Sequence, residues 1–220
     1  MTTGPRRAEV PGTGLSGQTI GNFLDLLAAR VPAPGGGASA ALHAAQAAAL
    51  LGMVARYTTG ERYAEHADVV TAVCTEADRL RGQCLALADA DADAFTAVGA
   101  AYRLARSTPA EEEHRRAAVA AALLGAATPP GEVIRAAAAL VALGERLLPV
   151  ANRTVLTDVA AATDAARAAA TTARLNVEVD LGGIQEETAR AGLLAVVASV
   201  DDVVRRCDAL HDAVREVLRG

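Results

Sequence analysis

Three carboxylates stand at alternate positions in Asp89-Ala90-Asp91-Ala92-Asp93-Ala94-Phe95. The alanine spacing predicts a helix here. Two residues turn a helix by about 200°, so the three acids cannot share one face. At least one of them points to the side that carries Phe95. A carboxyl in such surroundings has a raised pKa and can act as a general acid or base. A solvated acidic face is the alternative, and the spacing leaves both open.

The stretch Val31-Pro32-Ala33-Pro34-Gly35-Gly36-Gly37-Ala38-Ser39 offers a second kind of chemistry. The prolines bring the chain in extended. Glycines 35–37 permit unusual backbone conformations and close approach. A helix start follows at once, with free N–H groups and the positive end of its dipole. Together these make either a cradle for an anionic or polar ligand or a plain corner between two helices. Ala151-Asn152-Arg153-Thr154-Val155-Leu156-Thr157-Asp158 is a polar loop entering a helix, with Asp158 in the first turn, where ordinary capping also places it. Arg106 either meets a carboxylate or closes a helix end, and Asn176 reads as a helix-end cap. His43 lies one turn into the helix after the glycines, as a packed core histidine would. The four histidines show no metal spacing, and no phosphate loop or nucleophile elbow is present.

These residues need a frame. The 220-residue chain is 52% hydrophobic but only 2% aromatic, and alanine is by far the commonest of its apolar residues. Small side chains with high helix propensity point to an all-α domain of closely packed helices. Residues 1–17, rich in Gly, Pro, Thr and Arg, read as a disordered leader, and 18–220 as one helical domain. Thr19 caps a first helix with Ile20, Phe23, Leu24 and Leu27 on one face. A nearly all-apolar helix over 38–56 belongs at the centre and ends at Thr58-Thr59-Gly60. A long helix is expected over 63–105, with Val69, Val73, Leu80, Leu87, Phe95, Val98 and Tyr102 on its core side. Thr108-Pro109-Ala110-Glu111 is a capping box. That helix is expected to stop near Thr128-Pro129-Pro130-Gly131, and the next to run to Leu147. Thr157 is expected to cap a helix over 158–175. The β-branched run Asn176–Gly183 reads as an extended linker, and a last helical region follows over 184–218. The result is an antiparallel bundle of six or seven helices.

A net charge of −5 and the lack of a basic-aromatic surface argue against a nucleic-acid partner. Neither a membrane span nor an export signal is expected, which points to the cytoplasm. Of the three cysteines, Cys74 and Cys84 would lie about 15 Å apart on one helix, too far for a disulfide.

In chain order these landmarks resemble the formimidoyltetrahydrofolate cyclodeaminase and methenyltetrahydrofolate cyclohydrolase family, over roughly residues 18–185. Phe23-Leu24-Asp25-Leu26-Leu27-Ala28 followed by Val31–Gly37 is similar to its opening signature. Asp89, Asp91, Ala94 and Phe95 match its mid-helix acidic pattern. Asn152 with Thr157-Asp158, and Asn176-Val177 with Leu181, resemble its polar loop and its closing motif. The resemblance implies a helical homodimer with a small-molecule folate substrate, no metal and no cofactor. It implies closure of a formimidoyl folate with loss of ammonia, or hydrolysis of a methenyl bridge. Asp91 or Asp158 would then carry the proton. Pro34, Gly35, Gly36 and Gly37 would supply backbone contacts, with Asn152, Thr157 and Asn176 beside them, and Arg62 and Arg106 would face the glutamate tail. Departures fall on polar positions: Ala38 replaces a serine, Ala105-Arg106 a Pro-Lys pair, and Asp180 an asparagine. They leave room for a relative acting on another imine or amidine, or for a ligand-binding dimer without catalysis.

Overall fold

The computed structural model describes residues 14–219. Six α-helices lie among the described residues: α1 (Ile20–Ala28), α2 (Gly36–Tyr57), α3 (Ala67–Tyr102), α4 (Pro109–Leu147), α5 (Leu156–Leu181) and α6 (Glu187–Arg219). Short 3-10 turns precede α1, α3 and α5, and no strand occurs among the described residues.

Helix α2 is the centre. It packs against α3, α4 and α5, while α6 covers α4 and α5. Its buried residues are mostly alanine, from Ala38 to Ala55, with Leu51 and Val54 near its end. Alanine presents a nearly flat face, so three neighbouring helices can close around one axis without large side chains holding them apart. Cross-helix pairs fix the directions. Arg174 meets Asp201 and His211 meets Asp164, so α5 and α6 run antiparallel. Gly131 lies against Leu193 and Gly144 against Leu210, so α4 and α6 run parallel.

Several boundaries follow the sequence. The Thr19 hydroxyl accepts from the Asn22 N–H, and Thr108 with Glu111 forms the full capping box. Gly60, at φ 98°, turns the chain beyond α2. Other boundaries differ. Helix α4 does not stop at Thr128–Gly131; it continues through Pro129 and Pro130 to Leu147. A proline inside a helix costs about 3 kcal/mol. Both rings are buried here, in a helix that packs against four others, and that burial offsets the lost hydrogen bonds. Likewise α5 runs unbroken through Asn176–Leu181, because Val177 and Leu181 are buried at helical spacing, and Gly182 ends it. Thr157 lies inside α5 and is no cap. Helix α3 starts at Ala67 after a 3-10 turn, and Phe95 and Tyr102 face outward, 54% and 51% exposed. Of the expected leader, residues 1–13 lie outside the described part, while Leu15–Gly17 forms a 3-10 turn against α3.

Cys84 and Cys207 are buried free thiols, and burial pushes each up to about 11. By length and composition α2 and α4 could each cross a membrane, contrary to the sequence expectation. In the fold α2 is enclosed by the other helices.

The flat alanine face of α2 makes a definite prediction. Ala44→Leu places extra atoms where Ala44 is fully buried. It should cost about 1–3 kcal/mol in urea unfolding. An unchanged midpoint would show that the helices around α2 are not closely packed.

Candidate functional site

The head of α2 gathers the site. Gly35 is its N-cap residue, and no side chain of the segment itself caps the helix. The N–H groups of its first turn therefore need an acceptor from elsewhere. Asp91, on α3, supplies one: its carboxyl lies on Gly37 and takes the Ala38 N–H. A Cβ built on Gly37 would fall 2.0 Å from Asp91 Oδ1, so glycine is required there by the close approach of a carboxyl. None of Gly35, Gly36 and Gly37 has positive φ. The expected conformational reason for the glycines is thus replaced, at Gly37, by a steric one. Pro34, joined to Ala33 by a cis peptide bond, is buried just before the cap.

Helix α5 closes the other side. Asn176 donates through Nδ2 to the Thr172 carbonyl at 2.9 Å. This amide lies 3.8 Å from where a Gly36 Cβ would be, with Thr172 at 3.9 Å. Asn176 is therefore a mid-helix residue facing the head of α2, where the sequence suggested a helix-end cap. Asp180 follows one turn later on the same face. It was read from sequence only as a departure in a motif. The four-residue spacing from Asn176 is the signal that finds it, and the β-branched residues between them mask that spacing.

Both carboxyls are half-buried. Burial raises the Asp91 pKa, and the Ala38 N–H works against that rise. Asp180 is pushed up to about 6, first by burial and then by the negative charge of Asp91. Two neighbouring acids with unequal proton affinity can move a proton to and from a bound group near neutral pH. Phe95 follows Asp91 by one turn, while Leu175 and Val179 adjoin Asn176 and Asp180. All three are exposed, at 54%, 61% and 82%, and leave an apolar rim beside the acids.

The other acids and candidate ligands lie elsewhere. The Asp89 carboxylate accepts the Leu15 N–H and anchors the N-terminal turn. Asn152 is spent on structure: its amide donates to the Tyr57 carbonyl at 2.9 Å, its N–H to the Thr58 hydroxyl, and its side-chain oxygen accepts from Thr154. This loop, Thr157, Asp158 and the exposed Arg62 sit at the opposite end of α2 from Gly37. Asp158 is 18 residues from Asn176 along α5, about 27 Å at helical rise. Arg106 is exposed in the turn between α3 and α4. One chain thus brings together Pro34, Gly35, Gly36, Gly37, Asp91 and Asn176, and keeps Asn152, Thr157, Asp158 and Arg62 at the opposite end of α2. A separate cavity of about 450 Å³ lies on another flank of α2, where Ser39, His43 and Gln46 face Phe23 and Leu27 of α1. His43 thus borders a cavity and is not a core histidine.

The sequence profile of the formiminotransferase-cyclodeaminase family matches residues 19–199. A methenyltetrahydrofolate cyclohydrolase of Methylorubrum extorquens is 31% identical over 204 residues, covering 92% of this chain and 97% of that protein. The mouse formimidoyltransferase-cyclodeaminase is 37% identical over 102 residues, which is 46% of this chain and 19% of that longer protein. Among solved structures, formiminotetrahydrofolate cyclodeaminase from Thermotoga maritima superposes with a TM-score of 0.81 at 27% identity, covering 93% of this chain and 99% of the other. The match runs the length of the helical domain and includes the elements that meet at the head of α2: this chain belongs to the formiminotransferase-cyclodeaminase family.

Proposed function

We propose that this chain is a folate one-carbon enzyme acting on a carbon–nitrogen bond. It closes formimidoyltetrahydrofolate to the cyclic methenyl form with release of ammonia, hydrolyses methenyltetrahydrofolate, or does both. The observation that carries this reading is the seating of the Asp91 carboxyl on Gly37, in a chain whose relatives are named for these two reactions.

The chemistry asks little of the protein beyond position and a proton carrier. In ring closure one folate nitrogen attacks the formimidoyl carbon. With the formimidoyl group protonated as its amidinium, the new C–N bond makes a tetrahedral centre, the attacking nitrogen loses a proton, and the departing NH2 gains one and leaves as ammonia, the positive charge staying on the methenyl product. In hydrolysis, water adds to the methenyl carbon and loses a proton, one ring C–N bond opens as its nitrogen takes up a proton, and the remaining hydroxyl proton passes to solvent as the formyl C=O forms. A single carboxyl can take the proton of the nucleophile and return it to the leaving nitrogen. Asp91 has the half-buried setting and raised proton affinity for this role. Of the two acids considered from sequence, Asp158 stands at the far end of α5, so the role goes to Asp91. Asn176 orients the substrate beside it, and the Phe95, Leu175 and Val179 rim offers apolar surface to a flat ring.

The reading includes a homodimer. Helix α1 has no buried residue, and its Ile20 and Leu24 are 80% and 53% exposed. These apolar side chains favour a covered state. We place the enzyme in the cytoplasm, without metal or cofactor.

Three outcomes check these statements. Asp91→Asn should lower kcat on methenyl- or formimidoyltetrahydrofolate by about 100-fold or more while circular dichroism stays unchanged. Wild-type rates in that variant would remove Asp91 from the mechanism. Gly37→Ala favours the helix by propensity but displaces the carboxyl, so activity should fall about 100-fold with helix content intact. Sedimentation velocity should give twice the 22.3 kDa chain mass; a monomer at micromolar concentration would refute the dimer.

A further inference from the structure

We infer that Arg115 holds the anionic tail of the substrate, at the far end of a trough whose closed end is the head of α2. The inference deepens the folate-enzyme reading and rests on it for the identity of the tail: a glutamate carboxylate, joined through a benzoyl ring to the reacting one-carbon unit.

The trough follows from where the helices begin and end. Helices α3 and α5 each pack on both α2 and α4. Helix α2 begins only at Gly36, beside Asp91 of α3 and Asn176 of α5. The two flanking helices run on past that point, α3 to Tyr102 and α5 to Leu181. Beyond the head of α2 they are two walls, with α2 no longer between them. A Cβ at Gly35 would meet nothing within 4 Å, and Gly36 is exposed, so the head is open on that side.

Contacts fix both ends. At the closed end Asp91 and Asn176 lie against the consecutive residues Gly37 and Gly36. At the far end Tyr102 of α3 and Gly183, just past α5, line one cleft of about 260 Å³ with Arg115 and Val119 of α4. Leu123 of α4 lies against Gly183, so α4 forms the floor. From the closed end to the cleft is eleven residues along α3 and seven along α5, about 16 and 10 Å at helical rise. Asp91, Phe95 and Tyr102 follow one another at spacings of four and seven, on one face of α3. The face that Asp91 turns to α2 thus carries two aromatic rings past its end, where they are 54% and 51% exposed. A benzoyl ring finds apolar surface there, and a carboxylate beyond it reaches the cleft.

Arg115 is the cation prepared for that carboxylate. Its Nε donates to the Tyr102 carbonyl at 3.3 Å, and its guanidinium lies 5.5 Å from the centre of the Tyr102 ring. These contacts hold the planar group in place and leave its two terminal nitrogens unused. Among the described residues it meets no carboxylate: Arg116 takes Glu113 at 2.9 Å, and Glu112, which also lines the cleft, stays exposed. A fixed guanidinium fork matches a carboxylate through two parallel hydrogen bonds. The sequence pointed to Arg62 and Arg106 for this task. Arg62 stands at the other end of α2, and the place on the trough belongs to Arg115.

The test uses the purified full chain with its Arg115→Gln and Arg115→Lys variants. The substrates are methenyltetrahydrofolate and the same molecule without its glutamate, methenyltetrahydropteroate. Arg115→Gln should raise KM for methenyltetrahydrofolate by about 10- to 100-fold with kcat changed less than threefold. It should leave KM for the pteroate unchanged, and Arg115→Lys should recover part of the loss. A KM raised equally on both substrates, or on neither, would overturn the inference. Binding is read separately on protein labelled with 15N-arginine. The Arg115 Nε–H signal, identified by its loss in Arg115→Gln, should move on addition of 4-aminobenzoylglutamate and stay in place with 4-aminobenzamide. That movement without turnover of either folate would uphold the tail site and refute the functional reading. Normal turnover with a signal that never moves would refute the tail site alone.

Discussion

The start of α2 has no cap of its own, and the arrangement of the molecule follows from that. A helix that enters a crowded interior leads with N–H groups that must find acceptors, since an unpaired buried donor costs about as much as a lost hydrogen bond. Here the acceptor comes from another helix, through Asp91 of α3. That choice sets the register of α3 on α2. It removes the side chain at residue 37. It also leaves a carboxyl partly out of water, where its proton affinity rises. Structural capping and acid–base capacity are therefore one feature of this fold, because the desolvation that makes a cap necessary also tunes the acid that provides it.

The alanine composition makes such a feature sustainable. Large side chains around α2 would hold α3 and α5 too far away for Asp91 and Asn176 to reach its first turn. With Ala38, Ala40, Ala41 and Ala44 facing the neighbours, the helix axes approach closely and short polar side chains can span the gap. The larger apolar residues gather farther along, where Leu51, Val54, Leu80, Leu140 and Leu147 fill the interior. The bundle is thus anchored by bulky packing in one region and left fine-grained in the region that holds the acids.

The opposite end of α2 is built for another purpose. Asn152 spends its backbone and side chain on Tyr57, Thr58 and Thr154, tying the α4–α5 turn to the end of the central helix. Polar residues matching one family pattern thus serve two roles in this chain: a fixed joint at one end and a half-buried carboxyl seated on the first turn of α2 at the other. The long helices separate them, since each residue adds about 1.5 Å along the axis.

Much of this was legible in the amino-acid order. Alanine-rich apolar runs, the Thr19 and Thr108 caps and the Gly60 break are local signals, and they mark an all-helical chain with most of its elements in place. Glycines 35–37, Asp91 and Asn176 could likewise be picked out one by one. Local signals misled where burial overrode them: Pro129 and Pro130 continue a helix that their chemistry disfavours, and Asn176–Leu181 stays helical despite its β-branched residues. Both outcomes depend on neighbours distant in the chain, which no window of sequence contains. The same holds for the site. Sequence supplied the candidates and the family they resemble, while only the packing of α3 and α5 on the head of α2 put Asp91 and Asn176 beside Gly37 and Gly36 and left Arg62, Asn152 and Asp158 at the far end. Side-chain type is written in the chain, but the proximity that seats a carboxyl on the first turn of the central helix is a property of helices closing around a common axis.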